Sequence, residues 1–543
     1  MAGAIIINTN EPTDYFEAAV QSGATFDSYS DPDLFLNGMI SGPLSDKLAA
    51  RVAIELKDGD DPRRAPEVDD DWITNYDNIR GRVKLKGEFD TALGYVTSRF
   101  LLEHQQGTTP QTRNNVSGLG ATIRPLEDRV LVGTNIPSRT FNTWATTAAL
   151  DSTIDLEFGS LQVVTSYTTD DFDSIPEQIF PSRIESEEDI FVQEFLFRFG
   201  ENDRVYKGQA SGLIGLAFEE RSQDANASLP PLVYETKTKG STQSLFSDVK
   251  YGLTDTLSIF GGARLQRYAD KREQIRNLNF GSATRTTIQN YDEVEYQLLP
   301  SLGLLFHVTD DQTVSASVRR GYNPGGSSIN LFSGQPYNYE SETVTTLETT
   351  YRQEALGNRL NFGAVAFYNF FKDPQLFAEL QPGDRRTLQV INQGAGISYG
   401  LEFDARWQVT DQLTLNGSLG LLKTEITDAG NLTPSLEGNS FGQDPAVTAS
   451  LGAVFQINQY LSLDGRITYV GESYNDFNEV TADRVGDYAL VDLGATAHYE
   501  NLELRAFVNN LFNETGVTRY VSNQQFADVT EPLTAGLTLT ARW

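Results

Sequence analysis

Only three histidines occur in 543 residues, His104, His307 and His498, and no cysteine accompanies them. None has a second histidine at ligand spacing, so a histidine-based zinc or iron centre is not expected. Without cysteine there are no thiolate metal sites, disulfides or thiol nucleophiles. The chain carries 74 Asp and Glu, enough for chance acid–base pairs anywhere, and solvation accounts for them without catalysis. It lacks H-E-x-x-H and any phosphate-binding glycine loop, so neither covalent chemistry nor a cofactor is expected. Recognition remains. The best grouped candidates are Arg319, Arg320, Tyr322 and Asn323, where an alternating segment meets a loop rich in Gly, Asn and Pro. Guanidinium forks bind anionic chelates, and aromatic faces pack flat rings. The structural alternative is that the arginines brace nearby carboxylates. Arg385 and Arg386 form a second candidate. The acidic stretch Lys57–Asp71 has the donors for a divalent cation, but a solvated loop is the simpler account.

The elements that position these residues follow from charge and periodicity. The net charge of −32 repels phosphate backbones and excludes a nucleic-acid partner. Its plain role is to solvate exposed loops, and its functional alternative is to attract cationic solutes. No run of 18 apolar residues offers a transmembrane helix. The opening MAGAIIINTNEPT has no basic start, long apolar stretch or small-residue cleavage site, and is not expected to be a signal peptide.

The dominant pattern has a period of two. Leu401, Phe403, Ala405 and Trp407 interleave with Glu402, Asp404 and Arg406, and the closing Leu537–Trp543 repeats the alternation. Such segments are strands with one apolar and one polar face. Short polar turns join them in pairs, at Pro43–Lys47, Phe89–Thr91, Phe158–Ser160, Glu201–Arg204, Thr254–Asp255, Thr309–Gln312, Ala355–Asn358, Thr410–Gln412, Asn458–Gln459 and Glu500–Asn501. Between pairs lie long polar connections, including Gln105–Thr140, Glu220–Gly240, Lys271–Asn290, Gly321–Glu340 and Asn513–Glu531.

Loops segregated by length predict an all-β fold, a transmembrane antiparallel up-and-down β-barrel of about 22 strands. In lipid only closure removes the unpaired edges. Leu401, Phe403 and Ala405 are then expected to face lipid, and Glu402, Asp404 and Arg406 the lumen. The first strand, near Phe16–Thr25, should pair with the last, near Leu533–Trp543. Aromatics near strand ends, such as Tyr351, Trp407 and Tyr469, suit interface girdles. Two adjacent arginines cannot both face the lumen in a regular strand. The following Gly, Asn and Pro therefore predict that the strand ends near Arg320, leaving both side chains at the mouth.

Several segments also resemble one family. Gly3–Thr13 (GAIIINTNEPT) resembles the last plug strand of TonB-dependent outer-membrane receptors, and Gly42–Val52 (GPLSDKLAARV) the first periplasmic turn of their barrel. Gly321–Gly326 (GYNPGG) is similar to a Gly-Tyr-Lys-Ala-Gly-Gly segment, with Asn323 and Pro324 replacing Lys and Ala. Asn392–Trp407 and the Val508–Glu514 segment VNNLFNE resemble later signatures, and Trp543 stands where such barrels commonly end in Phe. The resemblance implies a remnant of the last plug strand at 1–13 and a barrel at 14–543. It also implies a parent in the cell outer membrane that imports a scarce nutrient, typically a ferric siderophore, with energy delivered through TonB. Outer-membrane lipid and the barrel-assembly machinery, acting through the C-terminal strand, are the other implied partners. Two alternatives stay open: a plugless passive channel, and a surface-exposed binding or adhesion protein.

Overall fold

The computed structural model describes residues 8–61, 75–111, 114–115, 139–175, 183–200, 204–380, 385–392, 394–430, 434–521 and 526–543. Twenty-two strands form one sheet. The first eight are β1 Glu17–Phe26, β2 Asp33–Ser45, β3 Leu48–Asp60, β4 Asn75–Thr91, β5 Gly94–Gln111, β6 Arg139–Leu156, β7 Gly159–Ile175 and β8 Arg183–Phe199. Then come β9 Ala210–Leu229, β10 Leu232–Gly252, β11 Leu257–Phe280, β12 Ala283–Thr309, β13 Gln312–Asn323, β14 Glu342–Ala355 and β15 Leu360–Lys372. The last are β16 Ala395–Gln408, β17 Leu413–Asp428, β18 Val447–Asn458, β19 Leu461–Val470, β20 Tyr488–Tyr499, β21 Leu502–Asn509 and β22 Thr534–Arg542.

Each strand pairs antiparallel with its sequence neighbours, and β1 closes on β22 from Ala19↔Arg542 to Phe26↔Ala535. Trp543 and Ala18 exchange backbone hydrogen bonds at 2.9 and 3.0 Å beside that seam. The sheet is therefore a closed barrel. The short turns predicted from the sequence all join strands at one rim, most of them through two to four residues. At Gly94, which opens β5 with φ +145°, a Cβ would come within 1.9 Å of the Asp155 carbonyl oxygen, so glycine is required.

The apolar alternates point outward. Leu216, Leu245, Leu265 and Leu298 lie directly opposite one another on β9 to β12, and each is about half exposed. That is a lipid-facing band. On β16, Leu401 and Phe403 share their face with exposed Tyr399 and Trp407, whereas Glu402, Asp404 and Arg406 share theirs with buried Ser398. The predicted register holds there. The lumen face has an apolar component that alternation alone does not reveal. Phe260 lies flat over Gly303 and Phe246 over Gly215, each with a ring carbon 2.4 Å from where a glycine Cβ would stand. These rings seal wall positions that have no side chain of their own.

Two expected loops are strands instead. Glu220–Gly240 belongs to β9 and β10, which turn at Pro230–Pro231, and Lys271–Asn290 belongs to β11 and β12. β12 alone has 27 residues, about 90 Å of chain at ~3.4 Å each, while ~10 tilted residues cross a bilayer. The wall from β4 to β12 therefore stands tall beyond the long-loop rim, and the wall from β18 to β22 barely clears it. The strand carrying the arginines also continues past Arg320. It pairs with β14 as far as Asn323↔Glu342, although its contact with β12 stops at Arg319↔Ser301.

Candidate functional site

The long-loop rim from β13 onward holds an interior polar network. Register sets Ser301, Arg319, Thr346, Asn369, Ser398 and Thr424 side by side on one inward row. Thr346 donates to Asn369 Oδ1 at 2.7 Å, and Asn369 Nδ2 donates to Ser398 Oγ at 2.9 Å, all three buried. Arg319 Nη2 reaches Glu348 at 2.9 Å across the neighbouring strand. Buried polar groups persist only when so satisfied.

Above this row the loops fold inward and lock together. The hairpin Gly326–Ile329/Pro336–Tyr339 lies against the tall wall. Arg276 Nε donates to Leu331 O at 2.9 Å, and Arg272, ion-paired to buried Asp270 at 2.7 Å, donates to Ser327 O at 3.4 Å. Asn330 Nδ2 then donates to Leu388 O at 2.5 Å, in a second hairpin Gln375–Glu379/Leu388–Asn392. Leu376 of that hairpin packs on a core of Ile426, Ala429 and Leu436, together with Phe441 and Phe477. Asn439 Nδ2 donates to Phe477 O at 2.9 Å, and Asn475 Nδ2 to Tyr520 O at 3.0 Å. Five successive loops thus form one assembly over half of the mouth.

The four predicted site residues part company here. Arg319 faces inward. Arg320, opposite Thr345, takes the outward face and is exposed, so the two do not share the mouth. The strand stays regular through this pair because β14 holds it. Tyr322, on the same side of the strand as Arg320, meets the lumen wall because the strand leans inward past Arg319, its hydroxyl accepting from Gln266 Nε2 at 3.2 Å. Asn323 Nδ2 donates to Gln375 Oε1 at 3.0 Å and fixes the second hairpin. Arg385 and Arg386 open a 3-10 turn, Arg385–Thr387, between that hairpin's strands. The sequence carries no local signal for Asp270, Arg272, Gln274 and Arg276, whose strand continues through the expected loop Lys271–Asn290. Most of the acidic stretch Lys57–Asp71 lies outside the described residues, as does the start of the 1–13 segment. Among the described residues no cluster of three or more His, Cys, Asp or Glu is placed to hold a metal.

Asp444 is a half-buried carboxyl of the rim. It accepts the Thr424 hydroxyl, and Thr424 Oγ1 in turn accepts from Phe441 N at 2.9 Å. Burial pushes this carboxyl above the usual range, with Glu479 adding to the shift. The folded loop therefore favours the protonated form, and the ionised form weakens it once pH rises above the ordinary carboxylate range. Asp444→Asn should slow amide exchange in residues 434–446 at about pH 7 and converge with the parent in acid. Equal or faster exchange in the variant at neutral pH would show that the carboxylate's hydrogen bonds outweigh its burial.

A second interior contact lies along β1 to β5. Lys84 Nζ donates to Thr9 O at 3.0 Å, and Glu11 bridges Lys84 and Arg99 at 3.1 and 3.2 Å. Thr13 N donates to Ser41 Oγ at 2.9 Å. Residues 8–13 are thereby tied to the lumen wall.

The fold and parts of the sequence have known counterparts. The chain is 28% identical over 295 residues to the pesticin receptor of Yersinia pestis, a match covering 52% of this chain and 41% of that receptor. It is 26% identical over 287 residues to the metal-pseudopaline receptor CntO of Pseudomonas aeruginosa, covering 51% and 38%. The chain thus matches well under two thirds of the length of these relatives. The ferric yersiniabactin uptake receptor FyuA of Yersinia pestis superposes with a TM-score of 0.84 at 19% identity, covering 98% of this chain and 81% of that one. The ferripyoverdine receptor of Pseudomonas aeruginosa gives 0.76 at 14% identity, covering 98% and 72%. Residues 13–511 match the family described as TonB dependent receptor-like, beta-barrel, and the chain therefore belongs to that family of outer-membrane receptor barrels.

Proposed function

We propose that this barrel serves import of a scarce nutrient across the outer membrane, most specifically a ferric siderophore, driven through TonB and without covalent chemistry. The observation that carries this reading is the interlocked loop assembly over a wide lumen, with Arg319 and Tyr322 turned inward beneath it. Loops on a rigid scaffold are the natural place for recognition. The names of the relatives, a metal-pseudopaline receptor and a ferric yersiniabactin receptor, agree with an anionic chelate as ligand. Residues 1–13 are read as the end of a plug strand, and the ties of Thr9 and Glu11 to Lys84 and Arg99 suit an anchor for such a segment. Lipid would surround the outward leucine band, and the strand ending in Trp543 would be read by the assembly machinery.

The test is equilibrium binding of ferric citrate, ferric catecholate and ferripyoverdine to the purified protein. Arg319→Ala and Tyr322→Ala should each weaken the preferred complex by about tenfold, ~1.4 kcal/mol. Arg320→Ala, on the face opposite Arg319, should leave the affinity unchanged. Absence of saturable binding by any ferric complex would overturn the siderophore reading. Binding indifferent to Arg319 and Tyr322 would make those side chains structural.

A further inference from the structure

The tall wall ends in an open strand edge. β12 pairs with β11 along its whole length, from Phe306↔Leu257 to Ala283↔Phe280, but with β13 only from Ser301 to Thr309. His307 N donates to Thr256 O at 2.8 Å, toward β11, so odd-numbered residues of β12 turn their backbone to β11 and even-numbered ones turn it away. From Thr284 to Leu298, every second residue therefore directs an N–H and a C=O at a side where β13 has left the sheet. Among the described residues no backbone hydrogen bond is made to that rail. β13 itself bends inward, where Tyr322 meets Gln266. The first hairpin touches β12 through side chains on the lumen face, as Gln289 Nε2 to Tyr337 O at 3.2 Å shows.

Exposed edges are usually blunted by lysine, proline or a bulge. Here no Lys, Pro or Gly occurs from Ala283 to Leu299, and the β11–β12 register runs without a bulge. Pro300, the one blocking residue, sits where pairing with β13 begins. The outward side chains place the rail above the lipid. Leu298, Leu302, Leu304 and Phe306 are exposed and apolar, Tyr296 follows at the position of an interface aromatic, and Asp292 lies beyond.

We infer that the open edge of β12 is a strand-addition site for a basic, extended polypeptide segment of another protein, arriving from outside the cell. Backbone hydrogen bonds to the rail would supply affinity, and alternate side chains specificity. The charge of the partner follows from Asp292 and Glu293 on the edge strand, set against Arg285 at its tip. Lys271 of β11 stands 3.4 Å from Asp292 with both side chains 70% exposed, and Glu295 turns to the lumen, where it accepts from Gly325 N at 3.0 Å. Glu293 is exposed and among the described residues has no ion-pair partner. A second copy does not fit. Two barrels sharing a membrane are related by rotation about its normal, so their tilted β12 edges would run in the same sense and cross at ~70–90°. The copies would also bring like charges together, at −32 per chain.

The test uses the full chain in lipid nanodiscs and a fluorescent peptide of about ten alternating valines and lysines. Saturable binding is expected, at least about tenfold weaker for the same peptide N-methylated at alternate residues, which keeps its charge but blocks one rail of amides. Asn290→Pro and Val294→Pro remove N–H groups from the open side only, so heat-modifiable gel migration should persist while peptide affinity falls by a similar factor. Asp292→Asn and Glu293→Gln together should reduce both affinity and its salt dependence. If the N-methylated peptide binds as well as the parent peptide, or the proline variants bind unchanged, the attraction is surface charge alone and the proposal fails. It fails equally if no saturable binding occurs, or if Val294→Cys cross-links to a second copy. Should the proline variants not assemble, the two peptides compared on the parent protein decide the question.

Discussion

Arginine at position 403 should stop this chain from reaching its folded barrel. Phe403 lies midway along β16, between the exposed rings of Tyr399 and Trp407 on the outward face. It stacks on Phe362 of the neighbouring strand, with ring centroids 6.4 Å apart, and Phe362 in turn meets Tyr351 at 6.2 Å. A guanidinium there would stand in hydrocarbon near the bilayer midplane, at a cost of ~2–4 kcal/mol. The lost aromatic contacts would add about 0.5–1.5 kcal/mol. Together these come to about 2.5–5.5 kcal/mol, which at its upper end reaches the low end of a typical domain's stability, about 5–15 kcal/mol. Glu402→Arg, one residue earlier, reverses a charge on the lumen face and should be tolerated. Heat-modifiable migration of the two variants separates the faces: the band of folded Phe403→Arg should be lost, and that of Glu402→Arg kept. An unchanged band for Phe403→Arg would put that side chain away from lipid and shift the register of β16 by one residue.

The ease of that assignment contrasts with what stayed hidden. Between lipid and lumen each strand has two unlike solvents, so alternation is written into residues such as Leu401 to Arg406 and survives any change in the loops. Beyond the membrane both faces of a strand meet water, and the alternation fades. Ser222–Lys239 and Arg272–Gln289 carry polar residues on both faces, so they look like loops although they pair without interruption. Lumen phenylalanines were equally silent. Phe260 and Phe246 break the polar rule only because a glycine on the next strand leaves a hollow, and the pairing that joins them is long-range.

The inward reach of Arg319 and Tyr322 was partly legible, since both sit where a strand signature meets a Gly-Asn-Pro loop. The end of the strand was misplaced because those loop formers were taken to stop it at Arg320, while pairing to β14 carries it on to Asn323. The brace itself was invisible. It rests on contacts such as Asn330 to Leu388 O, in which one amide meets the backbone of a loop 58 residues away. No local window of sequence contains such a bond. Recognition surfaces in this barrel are thus built from unlike parts. One half of the mouth is a tall, regular sheet set by strand pairing, and the other is a web of loops set by individual side-chain amides.

In a planar bilayer the assembled chain should behave as a wide, cation-preferring pore. A 22-strand barrel encloses a lumen that side chains of the wall do not fill. The described chain inside its lower half is the short run 8–13, tied along β1 to β5 by Lys84, Arg99 and Ser41. Near the outer mouth the interlocked loops belong to the β13–β22 half, and the tall wall from β4 to β12 sends its hairpins upward. Carboxylates line the passage. Some are neutralised, as Asp464 is by Arg505 at 2.7 Å and Glu17 by Arg51 at 2.7 Å. With 74 acidic against 42 basic residues, the residual field attracts cations and repels anions. Single-channel recording should give a large conductance, and the reversal potential in a potassium chloride gradient should lie toward the potassium limit. Raising the salt should weaken that preference, because screening shortens the reach of the lining charges to ~3 Å at 1 M. Conductance near zero at all voltages would mean that the rim loops seal the lumen unaided. The Asn330 and Asn439 bridges would then be the first bonds to cut, and recovery of current in Asn330→Ala would identify the loop web as the gate.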